Sequence, residues 1–81
     1  MSPAWRCRIE TVQGDRPGQL ARLGRIFAAR GVSIDEASAA MRDGRPRIEL
    51  TFRCGEPLCR WLERRLRRSP EVAAVAVERQ A

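Results

Sequence analysis

Eighty-one residues suffice for one small hydrophobic core and leave no room for a catalytic domain beside it. All 16 basic residues are arginine, and against 10 acidic residues they leave a net charge of +6. Exclusive use of arginine matches the codon bias of a GC-rich genome, so the charge does not by itself specify nucleic acid. A chain without His, Lys or Tyr has few general acids or bases and argues against an enzyme, Asp15 being the one carboxylate worth naming.

Three cysteines, an odd number, point to a reducing cytoplasm rather than a disulfide scaffold. Met1-Ser2-Pro3-Ala4 carries no signal-peptide apolar run, and no stretch approaches the roughly 20 apolar residues of a membrane span. Cys54 and Cys59 have four residues between them, yet without histidine a closed zinc site would need carboxylates or a second chain, so no metal and no cofactor are expected.

In chain order, Trp5, Cys7 and Ile9 alternate with Arg6, Arg8 and Glu10, which predicts a strand over 5–12 with one buried face. Gln13-Gly14-Asp15-Arg16-Pro17-Gly18 breaks the alternation, and Pro17 suits the first turn of a helix. Leu20, Leu23, Gly24 and Phe27, widened by Ile26, form the helix's apolar stripe, with Gln19, Arg22, Arg25 and Arg30 pointing elsewhere. Gly31 is expected at C′.

Residues 32–42 read as a second strand in which Ala37, Ala39 and Met41 share one face, although alanine is a poor strand former. Asp43-Gly44-Arg45-Pro46 predicts a hairpin, and Ile48, Leu50, Phe52 and Cys54 the buried face of a third strand. Leu58, Trp61, Leu62 and Leu66 mark a second helix opened by Gly55-Glu56-Pro57 and stopped by Ser69-Pro70. Its outer face pairs Glu56 with Arg60 and Glu63 with Arg67, so the arginines at 60, 64, 65, 67 and 68 read first as a solvated face and only second as a surface for an acidic partner. Val72, Val75 and Val77 make a short last strand before a polar tail, Glu78-Arg79-Gln80.

The order βαββαβ, with single apolar faces on strands one and three, predicts an α+β, ferredoxin-like domain spanning the chain, its core about 5–78. Right-handed crossovers give a four-stranded antiparallel sheet of order 4-1-3-2 with both helices on one face. Cys7, Cys54, Trp5 and Trp61 then belong to packing. The open face carries mixed charge and no aromatics, unlike an RNA-recognition sheet. So small a domain gains stability by burying surface against another copy, so a homodimer or higher homo-oligomer is expected.

Ile9-Glu10-Thr11-Val12, Asp15-Arg16-Pro17-Gly18-Gln19-Leu20, Phe27 and Gly31-Val32-Ser33-Ile34 together resemble an ACT domain over nearly the whole chain. The second half, from the charged hairpin through Leu66-Arg67-Arg68 to Glu71-Val72-Ala73-Ala74-Val75-Ala76-Val77, is similar to the small regulatory subunit of acetolactate synthase in its short form. The resemblance implies a non-catalytic module that binds a free amino acid, branched-chain in that subfamily, between two copies and regulates a larger catalytic subunit. The implied ligand residues are Gln13, Asp15, Arg16, Pro17, Gly18, Gln19 and Leu20 of one copy with Ser33 and Ile34 of the other. Gln13, Asp15 and Ser33 differ from the His or Asn, Asn and Asn that are common there. Amides after Asp15 at a helix N-terminus suit a carboxylate, and Asp15 suits an ammonium group.

Other readings of the same residues stand beside this one. Asp15, Pro17 and Gly18 are also what an ordinary strand-to-helix connection selects, and Ser33 is also a solvent-facing strand start. The alternative functions are a ligand-free ACT-like dimerisation or protein-interaction module and a nucleic-acid-binding ferredoxin-like domain.

Overall fold

The computed structural model describes residues 2–12 and 18–80. Its elements are β1 (Ala4–Thr11), α1 (Gln19–Ala28), β2 (Ile34–Arg42), β3 (Arg45–Arg53), α2 (Glu56–Arg67) and β4 (Val72–Arg79). They form the expected antiparallel sheet, in the order β2-β3-β1-β4.

The central pair sets the register: Trp5, Cys7 and Ile9 of β1 lie opposite Phe52, Leu50 and Ile48 of β3. All six are buried, and the helices close over them with Leu23, Phe27, Cys59, Leu62 and Leu66. Phe27 meets Phe52 edge-on, with ring centroids 5.0 Å apart. Trp5 satisfies its indole nitrogen inside this layer by donating to the Cys54 carbonyl at 2.9 Å. Cys7, Cys54 and Cys59 are buried free thiols, packed as small hydrophobes.

Local chemistry explains the punctuation. Gly31 sits at φ 73 and donates to the Ala28 carbonyl, while the Val32 amide reaches back to Phe27; these are the two bonds of a Schellman stop. Asp43 and Gly44, at φ 53 and 76, form the two-residue hairpin turn, so β3 begins at Arg45.

Four sequence expectations need correction. The second strand starts at Ile34 rather than residue 32, because the helix stop holds Val32 against the core. The last strand runs through Glu78 and Arg79, since both pair with β1, so the expected polar tail is part of the sheet. Gln19, expected to point outward, is only 8% exposed, whereas Leu20, expected in the core, is 40% exposed. The helix begins at Gln19 behind Gly18 rather than at the proline; Pro17 itself lies outside the described residues.

Removing the Phe27 ring empties the centre of the helix–sheet interface. Phe27→Ala is expected to cost about 3–5 kcal/mol, a large share of the stability of so small a domain. Urea unfolding followed by tryptophan fluorescence measures it, and a loss near zero would contradict the packing described.

Candidate ligand site

The sheet is wider than its helical cover. Ala37, Ala39 and Met41 of β2 lie opposite Leu50, Ile48 and Pro46, on the helix side of the sheet, yet every residue of β2 except Ile34 is exposed. Met41 is 63% exposed. A bulge at Asp35 shifts the register so that Ile34, opposite Phe52, joins the same side. The Ile34 side chain packs over Gly24, whose missing Cβ would stand 3.9 Å from Cδ1.

Between α1 and this bare strand runs a trough with a cavity at each end. The larger, about 500 Å³, lies at the start of α1 and is lined by Gly18, Gln19, Leu20, Ala21, Ala39, Ala40, Met41, Pro46, Arg47 and Ile48. This size falls in the range of small-molecule pockets, and the lining is mainly apolar, as such pockets are. The second, about 480 Å³, is a shallower hollow formed by Gly24, Ala28, Gly31, Val32, Ser33 and Ile34.

Gly18 is the residue before α1, at φ 76, and it offers no side chain to cap the helix amides. The first turn contains no acidic residue. The positive end of α1 therefore opens beside the larger cavity without a carboxylate of the helix to neutralise it. Arg22 lies one turn in, with Nη1 3.3 Å from where a Cβ on Gly18 would stand, and its guanidinium is held by Glu71, to which Nε donates at 3.1 Å and Nη2 donates as well. Hydrogen bonding to Glu71 raises the Arg22 pKa. The Val12 amide donates to the Glu71 carbonyl at 3.0 Å, so both ends of the β1–α1 connection are tied to the start of β4.

Of the sequence-predicted ligand residues, Gln13, Asp15, Arg16 and Pro17 lie outside the described residues. Gly18, Gln19 and Leu20 line the larger cavity and Ser33 and Ile34 the smaller. Within one copy these groups stand toward opposite ends of β2, separated by the length of the ten-residue α1, about 15 Å. Sequence reasoning missed Ala39, Met41, Pro46 and Ile48 as lining residues. The signal was present in the alanine alternation of β2, side chains too small to fill the space beside α1.

The buried thiols are no part of this site. Burial, with Cys59 and Glu63 nearby, pushes the Cys7 thiol up to about 12. Burial, with Cys54 nearby, pushes Cys59 up to about 11. Unfolded thiols ionise near pH 8.5–9, so above that pH the unfolded chain binds fewer protons than the folded one. Stability is therefore expected to fall as pH rises from about 9 toward 11, and Cys7→Val to flatten the fall; urea midpoints across that range measure both.

Known proteins locate these features. A family model described as ACT domain matches residues 8–54. Among solved structures, a homoserine dehydrogenase from Thiobacillus denitrificans superposes with a TM-score of 0.79 at 25% identity, covering 98% of this chain and 17% of that one. The chain thus spans under a fifth of that enzyme. Ribosomal protein S6 from Thermotoga maritima gives 0.77 at 16% identity over 99% of this chain and 89% of that one. The ligand-free regulatory subunit of aspartate kinase from Thermus thermophilus gives 0.68 at 18% identity over 96% and 51%. At identities of 16% and 18%, the last two speak for the fold alone. No curated protein matches the chain in sequence.

Proposed function

This chain belongs to the ACT domain family, and from that premise we propose that it is a non-catalytic regulatory module binding a free amino acid between two copies of itself. The observation that carries the reading is the division of the expected ligand residues between the two ends of one trough.

β2 is an edge strand with an unpaired backbone side. Two copies joined antiparallel through β2 about Ser38, the midpoint of Ile34–Arg42, bring residue 34 of one opposite residue 42 of the other. The Ser33 and Ile34 end of each copy then covers the Gly18–Leu20 end of its partner. The bare alanines of both strands and the Gly24 and Ala28 flank of both α1 helices become buried in the same step, which supplies the apolar area this small fold lacks.

In that arrangement the amides of α1 hold the ligand carboxylate, and Ser33 of the second copy supplies a hydroxyl. Leu20, Met41, Pro46 and Ile48 surround an apolar side chain, which favours a branched-chain amino acid over a charged one. Gln13 and Asp15 complete the polar set as the ammonium partners. The regulated protein is a larger catalytic subunit of amino-acid biosynthesis, of the acetolactate synthase kind. The likeness to part of a homoserine dehydrogenase supports a biosynthetic setting. Three unpaired thiols fit a cytoplasmic location, and no helix among the described residues is long and apolar enough to cross a membrane.

Valine, leucine or isoleucine is expected to raise the melting temperature, corresponding to about 2.7 kcal/mol at 100 times Kd. No shift with any of the twenty amino acids would favour the ligand-free dimerisation module instead. Ala39→Glu, at an exposed position of the single copy, is expected to shift the mass seen by light scattering from two chains toward one and to weaken the ligand response. An unchanged mass would move the interface elsewhere.

A further inference from the structure

The outer face of the helix layer carries charge that the fold does not use. Elsewhere most carboxylates are committed, Glu36 and Asp43 excepted: Arg8 pairs with Glu49 and Glu78, Arg47 with Glu10, Arg53 with Asp35, and Arg22 with Glu71. On α2 a chain of ion pairs joins Glu56, Arg60, Glu63 and Arg67 along one side. Trp61, Arg64, Arg65 and Arg68 follow i, i+3, i+4, i+7 and so share a different face, about 10 Å long. No carboxylate among the described residues pairs with Arg64 or Arg68, and Arg65 donates to the neutral Ser69 hydroxyl at 3.1 Å. Arg30, from the end of α1, lies over the Trp61 ring at 4.4 Å and adds a further unpaired cation.

We propose that this stripe is a docking surface for a carboxylate-rich face of a partner protein. Arg64 and Arg68 are like charges one turn apart, which disfavours the isolated helix, and the dipole at the α2 C-terminus offsets only part of that. A partner helix with glutamates at i, i+3, i+4 and i+7 matches the spacing and supplies charge-assisted hydrogen bonds. Arginine and tryptophan together are also the composition of interface hot spots. The choice of protein over nucleic acid rests on the aromatics. Arg30 covers one face of Trp61, and the other three, Trp5, Phe27 and Phe52, are buried in the core, so no stacking platform accompanies the cations. The stripe lies on the α2 side of α1, away from the trough, and remains exposed when two copies pair through β2.

The test uses the whole chain and a fluorescein-labelled helical peptide of Glu and Ala with its glutamates on one face, in low salt, by anisotropy. The peptide is expected to bind, and its Gln counterpart not to. Arg64→Glu with Arg68→Glu should weaken binding by roughly tenfold or more. Arg45→Glu with Arg79→Glu, the same charge change at two exposed positions off the stripe, should weaken it less than about twofold. Thermal unfolding of both double variants verifies that they fold. Equal weakening by both pairs, absence of peptide binding, or tighter binding of poly(U) RNA through Arg64 and Arg68 would each overturn the proposal. None of these outcomes depends on whether an amino acid binds in the trough.

Discussion

The register between β1 and β3 is the constraint on which the rest depends. With Trp5, Cys7 and Ile9 opposite Phe52, Leu50 and Ile48, every large apolar side chain of both strands faces one way. A slip of one residue in either strand would turn its apolar row to solvent and its charged row inward, so the pairing tolerates no alternative. The same register lays Arg8 beside Glu49 and Arg47 beside Glu10 on the open face. These half-exposed pairs contribute little stability, but they answer one another's charge.

From this centre the two edges diverge. Toward β4 the valines continue the core, and α2 lies over them, with Arg67 donating to the Val75 carbonyl at 3.2 Å. Toward β2 the side chains shrink to alanine and the cover stops. A surface alanine row under no helix contributes little to the stability of one copy, but it lets a second backbone approach closely. An open edge strand beside an uncovered apolar trough is also the feature soluble proteins ordinarily blunt. Its retention in a nine-residue strand fits an interface.

Charge is distributed with a similar asymmetry. On the open sheet face Arg8, Arg47 and Arg53 have carboxylate partners, as do Arg60 and Arg67 on one side of α2, while Arg64 and Arg68 on another side of α2 have none among the described residues. A net charge of +6 is thus partly localised. The two surfaces left incomplete, one apolar and one basic, lie on different sides of α1 and can be occupied together.

Much was legible in the sequence. Period-two alternation at 5–9 and 48–54 determined two strands, their buried faces and the thiols and tryptophan within them; the leucine spacing determined α2; and Gly31 and Asp43-Gly44 determined a helix stop and a hairpin, because only certain residues tolerate those backbone angles. The sheet order followed from crossover handedness. Tertiary structure alone decided where the helices sit over the sheet, and therefore that Leu20 is exposed and Gln19 buried, against their own hydrophobicity. It decided that a bulge at Asp35 brings Ile34 to the helix side, which no alternation pattern reveals. It also decided that Gly18 and Ser33 stand toward opposite ends of one strand. A local pattern records which residues prefer burial; distances between elements depend on how whole surfaces fit, and that information is spread over the entire chain.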